Sequence, residues 1–88
     1  MSDPCPGTLT IIAHDRHGLL ARIASVFHRR AVAIRSLSFG PAGEPERARV
    51  VVEAAAPPPQ LARLQAAIAS LVDVVSVELE GAPPARRI

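Results

Sequence analysis

The chain has 88 residues, of which 49% are hydrophobic, yet it contains only two Phe and no Trp or Tyr. Its ten basic residues are all arginine, and eight carboxylates bring the formal net charge to +2. Readers of single-stranded nucleic acid stack bases on exposed aromatic rings, so this composition argues against that class. A chain of this length predicts one domain that buries about 60% of its unfolded surface, and partner surfaces are therefore expected.

Cys5 is the only cysteine, which excludes an intramolecular disulfide. The first residues lack the basic start and apolar core of a secretory signal, and no apolar run approaches the roughly 20 residues that cross a bilayer. These features predict a soluble cytoplasmic protein. Residues 1–7 and 81–88 are rich in proline and glycine and are predicted to be flexible tails around a folded unit at residues 8–80.

The first half of the folded unit predicts a strand, a helix and a second strand. Residues 8–14 are rich in Ile, Leu and Thr and precede the polar turn 15–18, which indicates strand one. Apolar residues then recur at spacings of three and four over residues 19–32, as in a helix with one buried face. Residues 34–39 resume a strand-like composition.

The second half predicts a strand, a helix and a last strand. Turn formers at 40–45 lead into residues 47–54, so strands two and three form a hairpin. Three prolines at 57–59 end the strand and can open a helix, whose apolar residues follow at helical spacing. Residues 73–80 alternate, with Val75, Val77 and Leu79 on one side and Ser76, Glu78 and Glu80 on the other, as in a last strand.

This βαββαβ order is that of the split βαβ, ferredoxin-like sandwich. It predicts an α+β fold in which a four-stranded antiparallel sheet carries both helices on one face and leaves the other face open. The same superfold serves unrelated enzymes, RNA binders, metal carriers and regulatory modules, so the function has to be argued from the site.

Three segments carry a family resemblance. Residues 15–20, Asp-Arg-His-Gly-Leu-Leu, resemble the Asp-Arg-Pro-Gly-Leu-Leu opening of ACT domains, which are small amino-acid-sensing regulatory modules. Residues 26–37 resemble the "LFxxRxxNIxSL" stretch of acetolactate synthase regulatory small subunits, and residues 71–77 look like that family's "LVDVxxV" entry to its last strand. The length is similar to that of the short bacterial small subunits with a single ACT domain.

The resemblance implies a regulatory subunit without catalysis of its own. Such a subunit binds and activates a catalytic subunit and confers feedback inhibition by valine or another branched-chain amino acid. The resemblance implies no cofactor in this chain, and thiamine diphosphate, Mg and FAD are expected only in the catalytic partner. It also implies a homodimer with ligands between strand two of one chain and the helix-one turn of the other. The ligand-binding candidates are Asp15, Arg16, His17, Gly18, Leu19, Leu20, Ala33 and Ile34.

The helix-one turn is also a plausible ligand site on physical grounds. The first backbone N–H groups of a helix are unsatisfied and lie at the positive end of its dipole, where a carboxylate can bind. Gly18 has no Cβ, which either allows a close ligand approach or only permits a tight turn. Asp15 could pair with an α-ammonium group or cap helix one.

Three residues of the proposed site differ from the family pattern. Asp15 and Ala33 stand where the small subunits usually carry asparagine, and His17 replaces the proline of the general ACT motif. These differences leave open a weakened valine pocket, a pocket for another ligand and a purely structural activator. A second function also stays open, that of a stand-alone ACT domain sensing a different amino acid for another enzyme.

Strand two supports a homodimer independently of the resemblance. In this topology it lies at a sheet edge, and residues 34–39 carry one charge and no proline, so their backbone groups can pair with another chain. The loop 40–45 and the apolar half of the open sheet face are candidates for docking a catalytic subunit.

Other functions of this superfold have weaker support. His14 and His17 have a metal-like spacing, but the sequence offers no coherent third and fourth ligand. RNA binding would require aromatic residues on the middle strands, where Arg47, Arg49 and Val51 stand. An acylphosphatase-type enzyme would require an asparagine to position its water, and the chain contains none.

Overall fold

The computed structural model describes residues 4–81, which form one antiparallel sheet and two helices. The elements are β1 (Cys5–His14), α1 (Leu19–Arg29), β2 (Ile34–Pro41), β3 (Arg47–Ala56), α2 (Pro58–Ala69) and β4 (Val74–Gly81). The strands lie in the order β2-β3-β1-β4, so β2 is at an edge. This arrangement confirms the predicted ferredoxin-like βαββαβ fold.

The core lies between the sheet and the two helices and is almost entirely aliphatic. Every second residue of β3 is buried, as is every second residue of β1 from Gly7 onward, because alternate strand side chains point to the same face. Helix α1 contributes Leu19, Ile23, Val26 and Phe27, and α2 contributes Leu61, Leu64 and Ile68. Within residues 4–81, no helix combines the length and the apolar character that crossing a membrane requires.

Strand β1 begins earlier than predicted. Residues 5–7 pair with residues 54–56 of β3, so this part of the predicted N-terminal tail belongs to the sheet. Gly7 suits the strand because α2 passes close to it: a Cβ there would lie 2.9 Å from Leu61 Cδ1. At the other end, Gly81 closes β4 opposite Gly7. The rest of the two predicted tails, residues 1–3 and 82–88, lies outside the described residues.

Helix α1 ends three residues before the predicted limit at Val32. Ala31 has a left-handed φ of 58°. Its N–H donates to the carbonyl of His28 at 3.0 Å, and the N–H of Val32 donates to that of Phe27, also at 3.0 Å. This pair of bonds is the Schellman motif, which usually carries glycine or asparagine at the left-handed position.

The alternation of β4 is interrupted near its start. The pairing of β1 with β4 shifts between Ile12 and Ala13, and Ala13 lies opposite Val74. A bulge of this kind changes the direction of the neighbouring side chains. Val74 therefore packs against the core while Val75 is 45% exposed, so Val75 does not share the side of Val77 and Leu79 as predicted. The next two apolar residues of the alternation, Val77 and Leu79, both pack against the core.

Candidate functional site

The turn between β1 and α1 leaves the start of the helix accessible. Gly18 is the N-cap residue, with a left-handed φ of 86°, and no side chain caps the helix. The N–H of Leu19 donates to the Arg16 carbonyl at 3.1 Å, whereas those of Leu20 and Ala21 have no backbone acceptor within residues 4–81. The capping role considered for Asp15 is therefore wrong, and free N–H groups remain at the positive end of the helix.

Two features of position 18 bear on its glycine, the backbone conformation and the open space beyond the Cα. A φ of 86° is unfavourable for any residue with a Cβ, so the turn itself favours glycine. A Cβ built on Gly18 would meet nothing within 4 Å, which means that the surface beyond it is open. The turn thus accounts for the glycine, and the close approach of a ligand to this open surface stays a prediction.

Two small cavities flank this turn. The first, of about 200 Å³, is lined by Asp15, Arg16, Gly18, Leu19, Leu20, Ala21 and Phe39. The second, of about 230 Å³, is lined by His14, Asp15, Arg16 and Glu46. Five of the eight predicted ligand-binding residues thus surround the first cavity, together with Phe39 from the end of β2.

The two histidines of the H-x-x-H spacing are separated by this arrangement. His14 is half-buried at the end of β1 and lines the second cavity. His17 is exposed in the turn and lines neither of the two cavities. Among residues 4–81 there is no group of three or more His, Cys, Asp or Glu side chains that could hold a metal ion.

Asp73, for which the sequence predicted no role, contacts residues on both sides of the turn. Only 6% of this residue is exposed. Its carboxylate accepts a hydrogen bond from Arg22 of α1 and lies 3.4 Å from the Nε of Arg16. Its carbonyl accepts a hydrogen bond from the N–H of His14 at 2.8 Å. A buried carboxylate needs such partners, and these join the turn, α1 and the entry to β4.

Arg16 therefore both lines the cavities and interacts with Asp73. It was predicted to bind ligand, and its guanidinium makes the contact with Asp73. Its side chain is 65% exposed, so it remains accessible from the cavities. The segment that resembles "LVDVxxV" contains Asp73, and this was the signal in the sequence that could have identified it.

The remaining predicted residues, Ala33 and Ile34, lie at the other end of β2. Phe39, near the end of this strand, lines the cavity beside Gly18. Ile34 comes five residues earlier, which corresponds to about 17 Å along an extended strand. A single chain thus does not bring Ala33 and Ile34 to the turn.

Strand β2 also exposes apolar side chains on the face that the helices cover elsewhere. Leu37 and Phe39 lie opposite the buried Val52 and Val50 of β3, yet both are exposed, as is Leu20 of α1. Helix α2 packs mainly on β4, at the opposite edge of the sheet, and so does not cover them. The uncovered apolar residues thus lie beside the cavity at Gly18.

Comparisons with known proteins agree with these features. A family model described as "AHAS small subunit-like ACT domain" matches residues 9–76. The acetolactate synthase small subunit of Mycobacterium bovis is 30% identical over 74 residues, covering 84% of this chain and 44% of the relative. That of Haemophilus influenzae is 30% identical over 69 residues, covering 78% of this chain and 42% of the relative. The chain therefore spans less than half the length of these curated relatives.

Solved structures show the same fold in proteins of different function. The small subunit of acetolactate synthase from Thermotoga maritima superimposes with a TM-score of 0.78 and 23% identity, covering 84% of this chain and 46% of that one. The ACT domain from GTP pyrophosphokinase of Chlorobium tepidum superimposes with a TM-score of 0.76 and 15% identity, covering 89% and 100%. At these identities the likeness concerns the fold alone.

Proposed function

We propose a regulatory function that rests on the following premise: the chain belongs to the AHAS small subunit-like ACT domain family. In this proposal the protein binds the catalytic subunit of an acetolactate synthase, raises its activity and transmits feedback inhibition by an amino acid. It performs no chemistry itself. Thiamine diphosphate, Mg and FAD act in the catalytic partner. A ligand that binds one conformation of the complex better than another shifts their populations, and this shift is the regulatory signal.

The observation that supports an amino acid as ligand is the accessible start of α1 beside two apolar side chains, those of Leu20 and Phe39. The N–H groups of Leu20 and Ala21 can bind an α-carboxylate at the positive end of the helix. Asp15, whose side chain has no ion pair or hydrogen bond with residues 4–81, can bind the α-ammonium group. Leu20 and Phe39 can then contact an aliphatic side chain such as that of valine.

A homodimer would complete this site. If β2 pairs antiparallel with β2 of a second copy, the start of one strand comes beside the end of the other. Ala33 and Ile34 of one chain then approach Gly18 and Phe39 of its partner. The same pairing uses the free backbone groups of the β2 edge and covers Leu37 and Phe39, which a single chain leaves exposed.

Calorimetric titration of the 88-residue protein with valine, leucine and isoleucine tests the ligand. At least one of the three is expected to give saturable heat. Ala33→Asn introduces one amide of the family pattern and is expected to tighten valine binding at least fivefold, whereas Asp15→Asn removes the charge that would pair with the α-ammonium group and is expected to weaken binding. The control Glu80→Gln changes an exposed carboxylate on β4 and should leave the affinity unchanged. Unchanged affinity in both single variants would contradict the proposed pocket.

The activity of a reconstituted acetolactate synthase catalytic subunit separates activation from sensing. Activation without heat from any of the three amino acids would leave a structural activator. Saturable heat without any effect on the catalytic subunit would favour an ACT domain that senses an amino acid for another enzyme. Absence of both would refute the proposed function.

Light scattering tests the homodimer. Leu37→Glu introduces a charge on the face that the β2 pair would bury and is expected to give monomers at micromolar concentration. Val72→Glu is the matched control, because Val72 is 93% exposed at the turn before β4. A wild-type chain that is monomeric at micromolar concentration would rule out the β2 pair.

A further inference from the structure

The sheet face opposite the helices carries its charges in two separate groups. On β3, Arg47 and Arg49 lie near the start of the strand and Glu53 lies near its end, all on this open face because the residues between them alternate into the core. The open face of β4 carries Glu78 and Glu80. Thr8 of β1 pairs with both Glu53 and Glu80, so these two carboxylates belong to the same end of the face. Arg35 lines a cavity there together with Thr8 and Glu53, so this end also carries one positive charge.

Most of these charges have no partner within the described chain. Arg49, Glu78 and Glu80 make no ion pair or hydrogen bond with residues 4–81. Glu53 accepts a single hydrogen bond, at 2.6 Å, from the hydroxyl of Ser36. One end of the face thus carries two arginines, and the other carries two carboxylates and one arginine. This unequal distribution favours a partner whose charges run in the opposite order.

We propose that the partner of this open face is the same face of a second copy, with the β3 strands antiparallel. A two-fold axis that crosses the strands at Val51 exchanges the residues two positions before and after it. Arg49 of each copy then faces Glu53 of the other, which gives two symmetric pairs from one surface. An axis parallel to the strands would instead bring the two arginine ends together, and their like charges would repel.

The spacing of the charged residues and the half-buried middle of the face are both compatible with this pairing. Arg49 and Glu53 are separated by four residues, or about 13 Å along the strand, and packed sheets lie about 10 Å apart. Val51 and Thr10 are half-buried in the middle row of the open face, and Ile12, also half-buried, lies beside Arg49. Their side chains would form the centre of the contact, with the charged pairs toward its ends.

One carboxylate works against the contact. Glu78 lies in the same row as Thr10 and Val51, since Thr10 pairs with both Glu78 and Val51. The two-fold axis therefore brings Glu78 near its own copy at the β4 side. Removing this charge is expected to strengthen the association.

The face contact is separate from the edge of β2, so it does not depend on the proposed homodimer. Where both contacts form, two edge-paired dimers join into a four-chain assembly with three perpendicular two-fold axes. Sedimentation of the full chain in the Leu37→Glu background isolates the face contact, and wild type provides the same comparison as a dimer-to-tetramer step.

A charge exchange within the chain tests the proposal. Arg49→Glu and Glu53→Arg are each expected to weaken the face contact at least tenfold, because each leaves like charges opposite one another. The variant carrying both changes has the two charges exchanged and is expected to recover an affinity within threefold of the parent. Glu78→Gln is expected to tighten the contact, and added salt to weaken it. Arg63→Glu, on the exposed surface of α2, is the control and should have no effect.

The same sedimentation data can overturn the proposal. An absence of any face-dependent association at low salt contradicts it, as do single reversals that leave the affinity unchanged. A double variant as weak as the single variants also contradicts it, and would assign the face to a different protein such as the catalytic subunit. Circular dichroism of each variant confirms that the chain is folded, and recovery in the double variant excludes a general folding defect.

Discussion

Asp73 is the residue whose replacement should disturb the candidate site most, because its buried carboxylate is shared by two arginines. Asp73→Asn keeps the size of the side chain and removes its charge. The hydrogen bond from Arg22 would lose its ionic character, and the amide N–H₂ group would face guanidinium donors without an acceptor. The hydrogen bond from the His14 N–H to the carbonyl at position 73 would be retained.

The exposure of the two arginines sets the size of the stability loss expected for Asp73→Asn. Hydrogen bonds to charged groups contribute about 1.5–3 kcal/mol, and the lower end applies to Arg22, whose side chain is 52% exposed. The contact of Arg16 with Asp73, at 3.4 Å and with Arg16 65% exposed, is expected to contribute less than about 1 kcal/mol. Asp73→Asn should therefore cost about 2 kcal/mol, which in a domain of this size lowers Tm by roughly 8–16 °C.

A double-mutant cycle measures the interaction directly. Arg22→Gln, Asp73→Asn and the double variant are unfolded with urea at one fixed protein concentration, since association would shift the apparent stability. The expected coupling between Arg22 and Asp73 is about 1–2 kcal/mol, and the parallel cycle with Arg16→Gln should give less. Additivity of Arg22→Gln and Asp73→Asn within about 0.5 kcal/mol would refute the interpretation that this ion pair holds the turn.

Two backbone positions give further predictions. Ala31→Gly should raise Tm by about 2–4 °C in calorimetric scans, because a left-handed φ costs alanine roughly 1–2 kcal/mol and glycine adds only about 0.5–1 kcal/mol of chain entropy; a lower Tm would contradict this. Gly18→Ala and Gly43→Ala, at φ values of 86° and 90° with open space at each Cβ, should both destabilise by about 0.5–1 kcal/mol, since the strain of about 1–2 kcal/mol is partly offset by the lower chain entropy of alanine. Only Gly18→Ala should weaken valine binding in titration, and an equal loss in both variants would argue against a ligand at the turn.

The order and type of the elements could be predicted because each depends on local pattern. Alternation in β3 and helical spacing in α1 are properties of short segments, and the structure reproduces both. The end of α1 could not be predicted, since Ala31 carries none of the usual stop signals. The exposure of Val75 could not be predicted either, because it follows from the shifted pairing of β4 with Ile12 and Ala13 of a distant strand.

The candidate site likewise has a part that local sequence could predict and a part that it could not. The turn at 15–20 is contiguous in sequence, so one motif identified it together with its glycine. The support for that turn comes from an ion pair between Arg22 and Asp73, which are 51 residues apart. No local pattern relates two such residues, and only the adjacency of β1 and β4 in the sheet brings them together.

The separation of Ala33 and Ile34 from Gly18 has a consequence for the proposed regulation. If both groups contact one ligand, they must come from different chains, because Ile34 lies about 17 Å along β2 from Phe39, which lines the cavity beside Gly18. Ligand binding and dimer formation are then linked, and each must strengthen the other by the same factor. A regulator built in this way responds to its own concentration as well as to that of the ligand. An apparent affinity for valine that rises with protein concentration would distinguish this shared site from one formed within a single chain.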